Sequence, residues 1–591
     1  MLSYTNCAPS FQSINDLSSI VDGQATPPDG TEPVDPLKPS TDGLDTTPVI
    51  VDLPPMASDL EKLTRNYRCG EVTVADKLVL FNRNLGPLTS EQYQNSVNAI
   101  FGTKIYNFPL PHFYGDESHN TTLGLENPGS TLVQGYFASA QMLLDKINSE
   151  AGLKNKFLSC GEAIDSCLTK LYNDTGKLLF KRPMTNAEKI KISSKAKAFS
   201  QNKSEQLEAA VYLLLTSPQF NYHSYAVDKP VDDTKMQLLN EYDLAQRLSF
   251  FIWGRVPDNN LLNLAAQNKL KSSLQEVVTS MLQDARSVYL ARSLAFNWFS
   301  MGNFKYNNIK KYEYSGLNQS SVNWSLSEQV TAYVNDLIKN NRPVTELFKS
   351  DFQYHTANTA KLYKLQLNGV GTGFSKQPAD TPYAQAGILS HMGVLSENSS
   401  SSEIQVHQRG NYILKRALCD QPIGTPSGNT FNEGDNTIAT TSGRVNHLSE
   451  KAQCSACHKR MDPYGKGLER FNSLGLYREK YSNGEVINYS QEIGNSTISS
   501  PSDLGRFIAT ERKDIVNYCT TKNVLSLVTG KNFFNDGELG EANAVGSCLS
   551  LDMYSRFFEG QNTDNLKFQD LILKIIGDGS DLFGQTSKLG R

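Results

Sequence analysis

The sequence predicts a mostly α-helical protein of several domains, with a few short β-hairpins. The chain has 591 residues, which is enough for about three to five domains. Helix-start signals precede apolar residues at helical spacing along most of the chain. A strand-like pattern around a turn is confined mainly to residues 480–497, where Asn483-Gly484 indicates a hairpin.

The first predicted helix follows a capping box at Thr89 and Gln92. Apolar side chains then recur on one helical face, at Tyr93, Val97, Ile100 and Phe101. Gly102 ends the helix.

Four further helical segments show similar signals. Thr185 and Glu188 begin a helix after Pro183, and a later helix carries Leu207, Ala210, Val211 and Leu214 on one face. Asp258 is expected to cap a short helix after the stripe formed by Leu244, Leu248, Phe251 and Ile252.

Composition excludes some functions. Charged residues make up 20% of the chain, and the net charge is −4. The sequence contains no long run of Lys and Arg, so it does not indicate a nucleic-acid-binding protein. No apolar stretch approaches the length of a transmembrane helix. Residues 22–57 form a Pro- and Asp-rich linker, and Cys7 before it fits lipid attachment to a membrane, with a plain amino-terminal thiol as the alternative.

The segment Cys454-Ser-Ala-Cys457-His458 carries the clearest chemistry. Two thiols at i and i+3 on a helical turn can bond the two vinyl groups of one porphyrin, and the adjacent His can bind its iron. A thioredoxin-like pair would need a preceding strand, a zinc site would need a second ligand pair, and a disulfide within one helical turn would be strained. Haem attachment is therefore the favoured interpretation.

The residues after this segment carry a resemblance. The run from Cys454 to Arg478 resembles the planctomycete cytochrome c family, whose pattern is roughly CxxCHxxMDPxGxxLExFDxxGxxR. These are large bacterial proteins built from several domains of unknown function. Asn472 stands where the family usually has Asp. The resemblance implies an architecture and a haem, but no substrate.

The resemblance covers about residues 60–550. Its flanking matches are Thr89–Gly102, Arg182-Pro183 with Ser217-Pro218, Leu244–Asp258, Ala386–Leu389 with Arg409-Gly410 and Leu418-Cys419, and Ser502–Gly530. A further cytochrome module is common in the family, but the chain has no second C-x-x-C-H. The expected cofactor is therefore a single covalent haem c, which argues against a two-haem peroxidase.

These observations predict six segments. They are an anchor region with a disordered linker (1–58), an N-terminal helical domain (59–150), a helical domain (151–230), a central helical domain (231–360), a cytochrome c-like haem domain (380–482) and a C-terminal helical domain (498–560).

His458 is the expected proximal iron ligand, and the distal ligand is less determined. Met461 follows His458 too closely to reach the opposite haem face. The family comparison favours Met392, with His447 as runner-up. Met553 and His391 are weaker alternatives, and an open five-coordinate iron would point to catalysis.

Six further cysteines remain once the haem and Cys7 are set aside, enough for three disulfides in an oxidising compartment. Cys160 with Cys167 is favoured by spacing. Cys519 with Cys548 and Cys69 with Cys419 are weaker assignments, because six cysteines admit fifteen connectivities.

The sequence favours an exported electron-transfer protein, periplasmic or attached to the outer membrane, that exchanges electrons with a redox partner protein or a small molecule. A haem-dependent oxidoreductase and a surface binding protein without functional haem are the alternatives. A loop containing His112, Asp116, Glu117 and His119 could bind metal, although a polar surface loop is favoured.

Overall fold

The computed structural model divides the chain into two units, Met1–Met56 and Ala57–Arg591. The first unit, which holds Cys7 and most of the predicted linker, lies outside the described residues. The structure describes residues 86–110, 130–223, 239–308, 316–367, 369–381, 384–399, 406–420, 452–487, 490–529 and 545–577, and the single positions 60, 61, 69, 443, 446, 449 and 450.

A first hydrophobic core gathers the helices between residues 86 and 223. The α-helices of four or more residues in this range are α1 Ser90–Phe101, α2 Ser130–Ser149, α3 Ala151–Phe157, α4 Ile164–Leu171, α5 Asn186–Phe199, α6 Lys203–Leu215 and α7 Pro218–Asn221. Thr89 and Thr185 both form the predicted capping boxes, and Gly102 ends α1 in the left-handed conformation with φ 70°. Both boxes satisfy amide groups that would otherwise lack partners.

A second core is formed by buried side chains of the described residues from 239 onward. Its helices are α8 Glu241–Trp253, α9 Asn259–Ala266, α10 Leu274–Gln283, α11 Val288–Ser293, α12 Met301–Asn307, α13 Gln319–Lys339, α14 Ala357–Leu362, α15 Met392–Glu397, α16 Val406–Tyr412, α17 Ala452–Lys466, α18 Pro501–Glu511, α19 Lys513–Thr529, α20 Val545–Phe557 and α21 Phe568–Gly577. Asp258 caps α9 as predicted, by accepting from the amide of Leu261. Among the described residues, no helix is long and apolar enough to cross a membrane.

The described strands form three antiparallel pairs. They are β1 Gly86–Pro87 with β2 Tyr222–His223, β3 Phe352–His355 with β4 Ser375–Pro378, and β5 Gln491–Ile493 with β6 Ser496–Ile498. The predicted turn at Asn483-Gly484 is present: Gly484 has φ 89°, and Lys480 bridges Val486. The prediction of a mostly helical fold with few, short strands is therefore confirmed, but only the β5–β6 pair is a hairpin, because helices lie between the strands of the other two pairs.

The disulfides confirm one predicted pair and correct two. Cys160 bonds Cys167 as expected, but Cys419 bonds Cys519 and Cys69 bonds Cys548. The pairings Cys519–Cys548 and Cys69–Cys419 were wrong. The spacing of cysteines along the chain does not show which segments a buried helix contacts. Here α19 places Cys519 beside the helical residues just before Cys419. The Cys519 sulfur lies 3.3 Å from the Arg416 carbonyl oxygen.

Two histidines are buried together near the start of α15. His355 lies at the end of β3 with Nε2 3.2 Å from Gln353 Oε1. His391 has Nδ1 3.1 Å from the Gly387 carbonyl oxygen, while its buried Nε2 has no hydrogen-bond partner among the described residues. Burial lowers the pKa of each ring from 6.5 to about 4, and for His391 the neighbouring His355 adds to the effect.

Because these two rings are buried, we expect the free energy of unfolding to depend on pH. A depressed histidine pKa means that the unfolded chain binds more protons than the folded chain between about pH 6.5 and pH 4. We therefore expect the free energy of unfolding to fall as the pH drops through this window, with a slope of up to about two protons. Urea unfolding of the wild type and of a His355→Gln, His391→Gln variant measures this slope. Equal slopes for the two proteins would contradict the prediction.

Candidate functional site

The predicted attachment segment lies on α17. Cys454 and Cys457 are separated by one helical turn of backbone, and His458 follows directly. The Cys454 side chain lies outside the described residues. The Cys457 side chain is half-buried. The helix therefore has the backbone spacing that two thioether bonds to one porphyrin require.

His458 is held by a carboxylate one turn further along the same helix. Its Nδ1 lies 2.8 Å from Asp462 Oδ2, and both side chains are almost fully buried. Ser449 donates to the same oxygen at 3.0 Å. An ionised carboxylate only accepts hydrogen bonds, so Nδ1 is the donor in this contact, and in the neutral ring Nε2 then has the free lone pair.

This arrangement fits a metal-bound imidazole. Ligating histidines usually donate their second N–H to a carboxylate or carbonyl, which fixes the tautomer and the ring orientation. Here Asp462 takes that role toward His458, which leaves Nε2 as the atom able to bind iron. The two cysteine positions and the oriented histidine are therefore compatible with haem c.

Helix α16 crosses α17 with almost no space between the two backbones. A Cβ atom added at Gly410 would overlap the Met461 carbonyl oxygen, and one added at Gly465 would overlap the Val406 carbonyl oxygen. His458, Asp462 and Gly465 are spaced at i, i+4 and i+7, so they share the face of α17 that meets α16. Only glycine at these positions permits so close a crossing.

The crossing brings a second histidine to the site. The His407 ring on α16 lies with its centre 6.0 Å from that of His458, and the ring planes are inclined by 59°. Sequence reasoning missed His407. Its position three residues before Gly410, on the same helical face, was the signal that could have found it.

Arg409 fixes the loop that follows α17. Its side chain is fully buried and donates to four backbone carbonyl groups. The acceptors are those of Leu468 at 2.9 Å, Phe471 at 2.7 Å, Asn472 at 2.6 Å and Leu395 at 3.3 Å. Arg409 thus joins the end of α15 to the residues after α17 through α16.

A buried carboxylate lies in the same region. Glu469 is inaccessible to solvent and accepts from the Tyr481 hydroxyl at 2.6 Å. Burial, together with the charge of Arg478, lowers the pKa of Arg409 to about 9, and the charge of Glu469 opposes that shift. Arg409 therefore stays cationic at neutral pH, with Glu469 as its nearby anion.

The structure explains how Asn472 can stand where the family pattern usually has Asp. Its Oδ1 accepts from the amides of Leu474 at 3.0 Å and Leu476 at 2.9 Å. An aspartate could accept the same two bonds, so the turn is preserved. Gly475 closes this turn with φ 82°, and a Cβ atom added there would overlap the backbone of Met392.

The candidate distal ligands are placed differently. Met392 is fully buried at the start of α15, with its amide donating to the Tyr363 hydroxyl at 2.8 Å. His447 lies outside the described residues, as does the loop with His112, Asp116, Glu117 and His119. Met392 and His447 stay predictions. The described residues contain no group of three or more His, Cys, Asp or Glu side chains able to hold an ion.

Comparison with known proteins matches two parts of the chain. Residues 239–365 match PSD4, a protein of unknown function (DUF1592), and residues 385–481 match PSCyt3, a protein of unknown function (DUF1588). The second match contains α15, α16, α17 and the Arg409-bound loop. No curated protein and no solved structure matched the chain. Two segments of the chain are therefore similar to domains of unknown function of the planctomycete cytochrome c type.

Proposed function

We propose that the protein is an exported electron-transfer protein with one haem c bound to Cys454 and Cys457, and with His458 as the proximal ligand. The contact between His458 Nδ1 and Asp462 carries this proposal. A buried histidine directly after two cysteines one turn apart, with its second nitrogen held by a carboxylate, is the arrangement that a haem ligand needs.

The residues of the chain have separate tasks in this proposal. A bound haem supplies one-electron oxidation and reduction. Asp462 holds the Nδ1 proton of His458 and makes its imidazole more electron-rich. Ser449 orients the Asp462 carboxylate. Arg409 holds the loop after α17, so the carboxyl end of this helix has a fixed position.

Location outside the cytoplasm is part of the proposal. Three disulfides connect positions distant and near in sequence, and such bonds persist in oxidising compartments. We infer a periplasmic or outer-membrane-attached bacterial protein, with Cys7 as the point of lipid attachment. Its redox partner would be another protein or a small molecule.

A haem stain of the denatured protein tests this function. Wild-type protein produced in bacteria that attach haem to exported cytochromes should stain, and a Cys454→Ala, Cys457→Ala variant should not. A Cys160→Ala, Cys167→Ala variant is the matched control, because it removes two cysteines from a different helical region. Absence of stain in the wild type would refute the function.

Asp462→Asn should raise the reduction potential of the bound haem. The neutral amide supplies less electron density to the His458 ring, so the ferric state is less favoured. Redox titration measures the shift, and Asp145→Asn on the exposed surface of α2 is the control. Equal potentials in the wild type and Asp462→Asn would show that the carboxylate does not tune the iron.

An oxidoreductase is the second candidate function, and the same carboxylate favours it. Electron density supplied through a proximal ligand assists chemistry at an open iron. The two candidates differ in the ferric spectrum, because an open iron is high-spin and a carrier with two axial ligands is low-spin.

A further inference from the structure

We propose that the solvent-facing side of α5 docks on a lipid bilayer with anionic headgroups. This surface, the lysine face, consists of the exposed residues Ile190, Lys191, Ser194, Lys195, Ala198 and Phe199. Their positions follow the spacing i, i+1, i+4, i+5, i+8 and i+9, which is one side of an α-helix. On the other side of α5, Ile192 and Ala196 are buried in the first core.

The lysine face contains two cations and no carboxylate. The one acidic residue of α5, Glu188, is half-buried near the start of the helix. Its carboxylate pairs with Arg182 at 2.8 Å and accepts from the Thr185 amide at 2.8 Å. The exposed side of α5 is therefore positive and attracts anions.

The surroundings of α5 are also positive. Lys197 pairs with Asp165 on the neighbouring helix α4, and Lys170 on α4 is exposed. Asp174, just after α4, is an exposed carboxylate that reduces this charge without cancelling it. Residues 151–203 contain eleven Lys and Arg but four Asp and Glu, whereas the whole chain has 57 and 61. The positive charge of a slightly acidic protein is thus concentrated in this part of the first core.

Two apolar side chains favour a bilayer over an acidic protein as the occupant. Ile190 is 68% exposed and Phe199 is 49% exposed, and both flank the two lysines. Lysines can contact lipid phosphates while neighbouring apolar groups enter the boundary between headgroups and acyl chains. The proposed lipid on Cys7 would hold the body near a membrane, and a lipid chain combined with a basic patch binds more firmly than either alone.

Co-sedimentation of full-length Cys7→Ser protein with lipid vesicles tests the proposal, because this variant cannot carry a lipid at that position. We expect it to bind vesicles of phosphatidylglycerol mixed equally with phosphatidylcholine, less so as salt is raised, and not to bind pure phosphatidylcholine. Lys191→Glu with Lys195→Glu should lower the affinity about tenfold or more. Lys349→Glu with Lys361→Glu, the same change of charge at exposed positions of the second core, should alter it by less than about twofold.

Ile190→Ser with Phe199→Ser tests the apolar part of the contact. This variant keeps every charge, so it should bind the anionic vesicles several-fold more weakly with the same salt dependence. Unchanged binding would indicate an acidic macromolecule in place of a bilayer and would overturn the proposal. So would failure of the Cys7→Ser protein to bind anionic vesicles, or equal losses in the two lysine variants. A negative haem stain would refute the proposed function without affecting these measurements.

Discussion

Replacement of Arg409 by methionine should lower the free energy of unfolding by about 3–5 kcal/mol. Methionine fills similar space but donates to none of the four carbonyl groups that Arg409 binds. It also removes one of the two arginine charges near the buried carboxylate of Glu469, the other being that of Arg478. Buried polar groups that lose their partners account for the large cost. Chemical denaturation followed by circular dichroism measures the change.

Arg506→Met is the matched control for this variant. Arg506 is exposed and pairs with Asp503 on the surface of α18, at 2.6 Å. Exposed ion pairs contribute little, so its replacement should change the stability by less than about 1 kcal/mol. A similar loss in both variants would show that Arg409 does not act through its buried carbonyl contacts.

Gly465→Ala should destabilise the protein by about 3 kcal/mol. The added methyl group would overlap the carbonyl oxygen of Val406, which is backbone and cannot rotate away. The α16–α17 crossing would have to open, and this would separate His407 from His458. We therefore expect a reduced yield of haem-loaded protein together with the loss of stability, both measured on purified protein.

Gly152→Ala provides the corresponding control. Gly152 is exposed on α3, and a Cβ atom there would meet nothing within 4 Å. Alanine is the better helix former, so this change should be neutral or stabilise by up to about 1 kcal/mol. Destabilisation of both variants by equal amounts would mean that the crossing is not the cause.

Local sequence signals predicted the helices well. Thr89 and Thr185 form their capping boxes, and Asp258 caps α9, because each such contact lies within three or four residues. The apolar spacing of Leu244, Leu248 and Ile252 also predicted a buried face. These interactions depend on neighbouring residues and can be recognised without the tertiary structure.

Contacts between distant segments could not be derived in the same way. The partner of Cys519 depends on which face of α19 meets the segment that carries Cys419, and no local pattern specifies that face. The same limit applies to His407, whose relation to His458 depends on the packing of α16 on α17. Arg409 carries part of the family resemblance, but its carbonyl contacts are with helix α15 and with the loop after α17, and no local pattern shows that these two segments meet.

The structure also explains why the run after His458 contains particular residue types. Asp462 holds His458, Gly465 permits the helix crossing, and Glu469 lies beside Arg409. Asn472 and Gly475 form the turn that packs against Met392. The run thus combines residues that orient the proposed ligand with residues that support its helix.

Mass spectrometry of the proteolytic peptide that contains residues 454–458 tests the central claim most directly. We expect the wild-type peptide to carry the added mass of one haem, and fragmentation should locate the attachment to Cys454 and Cys457. Unmodified cysteines in that peptide, from protein produced where haem attachment is active, would contradict the claim that this segment binds haem.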